Sequence, residues 1–255
     1  MNDELVSVVI PVYNAARFIS DTVLSVKSQT YTNWEIILVD DGSTDDSVKV
    51  MNELASEINK DTVKVKVIEA ASKLKAAGSR NLGVKNANGR YIAFLDADDL
   101  WFSDKLEKQL ALMKEKDCAF SFTGYEFADE DGIGVQKIVR VPETITYNQA
   151  VKNTTIFTST VIFDLNKLTK EDIEMPDVGS EDSATWWKVL KKVPYAYGLN
   201  EALTLYRRGD ASLSSNKLVC LKRTWNLYRE VEHFSLIKSI YCFVSYMIHA
   251  TIRRL

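Results

Sequence analysis

Asp96, Asp98 and Asp99 place three carboxylates in four positions at the end of the apolar stretch YIAFLDADDLW. Two carboxylates spaced i and i+2 at a strand end can face one point if the backbone turns there. Packed that closely they repel, and one takes up a proton unless a cation neutralises the pair. A hard divalent cation does so through oxygen ligands, and Mg2+ typically completes its shell with waters and substrate phosphates. Asp96 and Asp98 therefore read as a clamp for Mn2+ or Mg2+ and a diphosphate. The plainer reading is a solvated turn, with Asp99 or Ser103 capping a helix that starts at Asp104. Two more acidic pairs accompany this one: Asp40-Asp41 before Gly42, and Glu181-Asp182 in GSEDSATWWKVL. Asp-Gly is a common turn pair. Carboxylates in a first helical turn gain roughly 0.3–1 kcal/mol from the helix dipole, so the second pair also has a structural reading.

The elements that must position these acids alternate. Leu5–Val12 is a β-branched apolar run, which predicts a strand buried on both faces. A helix follows over 17–29, with Phe18, Ile19, Val23 and Val26 on one side. Trp34–Asp40 reads as a second strand, and 43–58 as a helix with Ser43 or Thr44 at its N-cap. Val63–Ile68 alternates as a third strand. Residues 73–87 read as a helix stopped near Asn88-Gly89, and 90–96 as a fourth strand. This spacing means βαβ units and a parallel sheet. The pattern then loosens into two strands joined at Asp131-Gly132, a strand over 154–163, a helix over 180–193 and a strand-rich stretch over 195–208. The fold class is α/β: a Rossmann-like, mostly parallel sheet with a mixed extension. In such sheets ligands bind outside the carboxyl ends of the strands, where the acids collect.

With 255 residues and 46% hydrophobic residues the chain can bury a large core as one domain with an appendage. The division falls at 1–212 for the body and 213–255 for a helical tail. Net charge is −3, yet the tail carries seven Lys or Arg against two acids, so the acid surplus lies in the body. That argues against nucleic acid as a partner and permits an anionic surface for the tail. Cys118, Cys220 and Cys242 form no CxxC pattern and suggest reduced thiols in the cytoplasm. The acidic start MNDEL is unlike a signal peptide. In the tail, Ser235, Ser239, Cys242, Ser245 and His249 fall on one helical stripe among apolar residues, with Arg253 and Arg254 after them. The uncharged run Ser239–Ile252 is too short to span a bilayer, so an interfacial helix is expected. The bland alternative is a helix packed on the domain or on a second subunit.

In this order, SVVIPVYN, ILVDDGSTDDS, GSRNLGVKNANGRYIAFLDADD and a later Glu-Asp pair opening a helix resemble family 2 of the inverting glycosyltransferases, over roughly residues 5–210. The resemblance implies the GT-A fold and a nucleotide-sugar donor, UDP-linked before guanosine or thymidine. It implies Pro11 and Tyr13 lining the base pocket, Asp41 accepting a hydrogen bond from the base, and Asp40 in support. Arg80 would reach the base or the diphosphate. Asp96 would touch the ribose or the metal through water, and Asp98 would bind the metal. Asp182 would be the general base, with Glu181, Trp186 and Arg207 toward the acceptor or diphosphate. One departure is visible: where relatives carry Tyr-Arg-x-His, this chain has Tyr206-Arg207-Arg208-Gly209-Asp210, which leaves the third metal ligand open. Arg207 or Arg208 could neutralise the diphosphate instead. The implied acceptor is a saccharide or lipid-linked saccharide of a capsule, O-antigen or lipooligosaccharide, handled at the inner face of the plasma membrane. Two other classes stay open: a sugar-phosphate nucleotidyltransferase, against which PVYNAARF stands in place of a Gly-rich loop, and a silent scaffold on the same fold. Oligomeric state is not legible.

Overall fold

A run as apolar as Val6–Val12 can bury both faces only inside a sheet. The computed structural model, which describes residues 4–60, 64–153, 155–208 and 217–252, puts it there. Strand β1 (Val6–Val12) leads through α1 (Ile19–Lys27), β2 (Trp34–Asp40), α2 (Ser47–Ile58), β3 (Val65–Glu69) and α3 (Lys75–Asn86) to β4 (Tyr91–Phe94). Then come β5 (Leu100–Trp101), α4 (Lys105–Glu115), β6 (Phe120–Ala128), β7 (Gly134–Val139), β8 (Thr144–Ile145), the single turn α5 (Tyr147–Ala150) and β9 (Ile162–Asp164). The remaining elements are α6 (Glu181–Leu190), β10 (Ala196–Arg207), α7 (Lys217–Asn226) and α8 (Leu236–Ile252). The main path of the sheet runs β3-β2-β1-β4-β9-β6-β10-β5, with β7 on β6 and β8 on β10. The first four strands are parallel. β9 is antiparallel to both β4 and β6, and so joins that half to the extension.

The period of two divides the core. Val9, Ile37, Val39, Ile92 and Phe94 point to one face, with α3 and α6. Val6, Val8, Ile10, Ile36 and Leu38 point to the other, with α1, α2 and α4. Helix α3 lies so close to β1 that a Cβ on Gly83 would stand 2.3 Å from Val9 Cγ1.

Several expected boundaries move for identifiable reasons. Helix α2 begins at Ser47 rather than at Ser43 or Thr44. Those two residues instead serve Asn14: Ser43 Oγ accepts its N–H at 2.9 Å, and Thr44 N–H donates to its Oδ1 at 2.8 Å. Neither Asp99 nor Ser103 caps α4, which starts at Lys105 after Asp104. The strand expected over 154–163 is a 3-10 turn, Thr158–Thr160, followed by the short β9. Strand β5 is an addition to the expected elements; it pairs antiparallel with β10. The turn at Asp131-Gly132 is present, with Gly132 at φ 80° donating to Asp129 O. Val63, Thr154, Gly209-Asp210, the division at 212/213 and Arg253-Arg254 lie outside the described residues.

The tail packs on the domain. Leu227, Tyr228, Phe234 and Cys242 join the same core as Trp186 and Trp187. Trp187 stacks on Tyr228, with centroids 5.5 Å apart and planes 3° from parallel. On α8 part of the Ser/Cys/His stripe faces the domain: Ser239 and Cys242 are 0% and 1% exposed. Leu236, Ile237, Ile240, Tyr241, Val244 and Ile248 face out, Ile237 at 82%. Among the described residues no helix is long and apolar enough to cross a membrane.

Gly83→Ala should lower stability by about 1–3 kcal/mol, because its methyl must displace Val9 in a packed core. Equilibrium urea unfolding of both proteins measures this; an unchanged midpoint would refute the close packing of α3 on β1.

Candidate active site

Three strand ends and two helix starts meet at one edge of the sheet. The backbone there is unusual: Asn14, Lys75 and Ser180 have φ of 50°, 60° and 61°. Such left-handed non-glycine residues cost of order 1–3 kcal/mol each and persist where the surroundings hold them. They stand after β1, at the start of α3 and at the start of α6.

Arg80 is the centre of this edge. It sits on α3, is buried, and splits its guanidinium between two acids: Nη2 to Asp96 at 2.6 Å and Nη1 to Glu181 at 3.0 Å. Burial works against its charge, but Asp96 and Glu181 outweigh that and raise its pKa. The end of β4 is thereby tied to the start of α6. Both of its terminal nitrogens are thereby taken by protein carboxylates.

The neighbouring acids divide by role. Asp99 is fully buried and accepts from Ser159 Oγ at 2.5 Å and from Arg207 N–H at 3.2 Å. Burial, then the charges of Asp98 and Asp96, push its pKa well up. Ser159 Oγ also accepts the Asp96 N–H at 3.0 Å. Asp98 instead contacts solvent at the rim. Desolvation by the protein around it, then the Asp96 charge, push it up to about 6, a shift that its solvent contact tempers. Arg207 is buried, with Nη2 on Asp21 at 2.8 Å and Nη1 on the Asp98 carbonyl at 3.4 Å. It braces the acidic turn against α1, and of the two adjacent arginines Arg208 is the exposed one.

Asp182 opens α6 beside Glu181. It accepts the Ser183 N–H at 2.6 Å and faces Thr158 Oγ1 at 3.4 Å. Burial raises its pKa first, and the Glu181 charge next, while Arg80 lowers it. A carboxylate raised in this way is the stronger proton acceptor.

At the other end Tyr13 is 48% exposed, so core packing is excluded for it, and Lys73 Nζ lies 4.0 Å from its ring centre. Pro11 is half-buried on β1. Asp41 is buried and accepts the Leu74 and Lys75 N–H groups at 2.5 and 2.9 Å, so it caps α3. Any bond from a base must use its remaining lone pairs. Asp40 closes the turn through the N–H groups of Gly42 and Ser43. Trp186 does not reach the site: it is 2% exposed and packs on Phe94, Phe120 and Phe163. Thr158, Ser159 and Asp21 escaped sequence reasoning, since the apolar run around 154–163 signals a strand and nothing marks an ordinary helix aspartate.

Among the described residues no group of three or more His, Cys, Asp or Glu could hold a metal ion. The carboxylates present fit a cation held by one or two acids and completed by phosphates and water, Asp98 being open to solvent and Asp96 next to it. A cavity of about 420 Å3 between Phe102, Lys108, Ile138 and Glu201 contains none of these residues.

The family model described as Glycosyl transferase family 2 matches residues 7–170. The chain is 44% identical to the Bacillus subtilis glycosyltransferase TuaG, named for teichuronic acid biosynthesis, over 98% of each chain. It is 37% identical to the Escherichia coli protein WfgD, named a UDP-Glc:α-D-GlcNAc-diphosphoundecaprenol β-1,3-glucosyltransferase, covering 97% of this chain and 94% of that one. Among solved structures, Staphylococcus aureus TarS 1–349 in complex with UDP-GlcNAc superposes with a TM-score of 0.72 at 19% identity, covering 95% of this chain and 71% of that one. The mannosyltransferase PcManGT of Pyrobaculum calidifontis, with GDP-Man and Mn2+, gives 0.69 at 18% identity, covering 90% and 64%. The expected GT-A fold is therefore the observed one.

The crowded acids make a pH prediction for the metal-free protein. A carboxyl whose folded pKa lies above its unfolded value contributes stability that is full below the unfolded pKa and lost as pH rises through the folded one. For Asp98 that window runs from 3.8 to about 6. Asp98→Asn should flatten this part of the profile, and millimolar MgCl2 should oppose the loss in the native protein. Denaturation midpoints at successive pH values measure both; a profile unchanged by the variant would count against the crowding.

Proposed function

The chain belongs to glycosyl transferase family 2, and we propose that it transfers a sugar from a UDP-sugar to a saccharide or lipid-linked saccharide hydroxyl, with inversion. The observation that carries this is the Arg80 bridge. It sets Asp182, a carboxylate with raised proton affinity, beside the Asp96-Ala97-Asp98 turn at the carboxyl edge of the sheet.

The donor's base would stack on exposed Tyr13, next to Pro11, a placement that suits a planar ring. Asp41 would accept the single ring N–H of uracil. Asp98, with Asp96, would hold the divalent cation, Mn2+ or Mg2+, which when bound neutralises charge growing on the departing diphosphate. Asp182 takes the proton of the acceptor hydroxyl as that oxygen attacks the anomeric carbon from the face opposite the leaving group. One displacement inverts the configuration and needs no enzyme nucleophile. Glu181 and Arg80 position Asp182 and tune it. The UDP-GlcNAc bound to TarS and the name of WfgD favour UDP over other nucleotides, although PcManGT carries GDP-Man.

The names of TuaG and WfgD support a place in bacterial surface-polysaccharide assembly, on an acceptor carried by a lipid. The outward face of α8 supports peripheral contact with the cytoplasmic leaflet. Ile237, Ile240, Tyr241, Val244 and Ile248 are exposed there, with Lys238 among them and Leu218 exposed on α7. Apolar contact plus cations is the combination that binds an anionic interface.

Asp182→Asn should cut kcat by about 10²–10⁴-fold while leaving UDP binding intact, measured as UDP release with acceptor present. Chelation with EDTA should abolish turnover and Mn2+ restore it. Consumption of UTP instead of UDP-sugar would overturn the transferase reading. Separately, the protein should float with vesicles containing phosphatidylglycerol, and Ile237→Glu with Ile240→Glu should leave it in the soluble fraction. Equal flotation of both proteins would remove α8 as the contact.

A further inference from the structure

Four aromatic rings stand together around Phe157, the residue before Thr158, and belong to neither hydrophobic core. Tyr125 and Phe127 lie on β6, Tyr206 on β10, and Phe157 just before the Thr158–Thr160 turn. Phe157 packs on Tyr206 at 4.5 Å and on Tyr125 at 5.1 Å, and Tyr125 meets Tyr206 edge-on at 6.0 Å. Phe127 closes the group, 5.5 Å from Tyr206. All four are half-buried, so each keeps surface toward solvent.

Their place in the chain links them to the chemistry on both sides. Phe157 precedes Thr158, whose hydroxyl faces Asp182. Tyr206 precedes Arg207, which holds both the Asp98 carbonyl and the Asp99 carboxyl. Consecutive residues of a strand point to opposite faces. Arg207 is buried under the acidic turn while Tyr206 turns its ring the other way. The cluster is thus tied to Asp182 through Phe157-Thr158 and to the acidic turn through Tyr206-Arg207.

We propose that Tyr125, Phe157 and Tyr206 form the acceptor subsite, against which a pyranose ring lays its C–H face. This rests on the transferase reading above and adds to it the residues that hold the second substrate. A pyranose has one face of axial C–H groups and a rim of hydroxyls. Aromatic rings with phenol hydroxyls match both, as tyrosine is an apolar body with a polar tip. Lys137 and Arg208 lie over Phe127 at 5.8 and 5.1 Å and make that end cationic. A sugar whose neighbouring group is a phosphate thus fits better than a neutral glycoside. The acceptor contact expected of Trp186, which is buried, falls to these rings.

The test uses the full-length protein with UDP and MgCl2 and, as probes, the α-1-phosphates of glucose, galactose and N-acetylglucosamine. Saturation-transfer NMR should show at least one of them bound, with transfer strongest at ring C–H protons. Phe157→Ala and Tyr206→Ala should each weaken that binding about 5-fold or more, while Phe157→Tyr retains it. Binding of UDP, followed by thermal stabilisation, should stay unchanged in all three variants. The subsite is overturned if no probe binds the native protein or if both alanine variants bind as well as it does. Parallel loss of UDP binding in the variants would make the rings structural and overturn it too. Failure of the native protein to bind UDP would instead strike the donor reading.

Discussion

The buried guanidinium of Arg80 is the constraint around which the rest of this edge is arranged. Asp96, Glu181 and Asp182 come from distant parts of the chain, and without a cation among them their charges would drive β4 and α6 apart. Arg80 meets two of the three directly. A planar fork with several donors can satisfy two carboxylates at fixed angles, which a lysine ammonium cannot do as well. The arrangement is costly, because a buried ion pair repays its desolvation only with good geometry. The chain supplies that geometry locally. Asn81, next to Arg80, exchanges hydrogen bonds with the backbone of Met175 at 2.8 Å in both directions, which anchors the segment leading into α6. The start of α6 adds its own positive end beneath Glu181 and Asp182.

A second knot lies on the other side of the same turn. Asp99 is wholly buried, and Ser159 and Arg207 share it, so its acid character is spent on holding three segments together. Arg207 extends the knot to Asp21 on α1. Asp98, between Asp99 and Ala97, is left at the rim. One turn thus combines a buried carboxyl, one paired with Arg80 and one open to solvent, and this is why three acids in four residues do not simply repel. Raised proton affinity at Asp98, Asp99 and Asp182 records the same crowding from the electrostatic side.

The parallel half of the fold is legible because a buried strand and an amphipathic helix each impose a period on their residues, and β1 to β4 obey it. The extension is less so. Strand β5 is two residues long, too short for any period, and it forms because β10 offers an edge. The 3-10 turn at Thr158–Thr160 lies in a stretch as apolar as a strand; it bends because Ser159 and Thr158 meet carboxylates fixed by other elements. At the site, residue types are readable but their engagements are not. Arg80 and Arg207 read as cations for a ligand, and their ion pairs to Asp96, Glu181 and Asp21 are not legible, since sequence spacing cannot show which carboxylate a long side chain will find. Asp41 has a turn reading from Asp-Gly, and it instead caps α3 from 33 residues away. Trp186 is ambiguous between sugar and core, and the aromatic residues of β4, β6 and β9 decide for core.

The tail carries its small polar residues on an unusual face. On a water-soluble helix the large apolar residues turn inward and the small polar ones outward. On α8 the small side chains of Ser239 and Cys242 are inside, Ser239 satisfied by its own helix through the Ser235 carbonyl at 3.0 Å. Small residues let the helix approach the domain closely, but they bury little apolar area. The large ones outside give up that gain, worth about 1.5–3 kcal/mol for each such side chain when fully buried. Water offers nothing in return for that arrangement. The bilayer contact proposed above would recover that gain, at the surface where an acceptor on a lipid carrier would present its sugar. The same inversion that makes α8 a poor cover for a soluble domain orients a rigid apolar face outward from the core that Trp187 and Tyr228 build beneath it. Trp187 lies on α6 five residues after Asp182, so the segment leading into α8 packs, through Tyr228, on the same helix that carries Asp182.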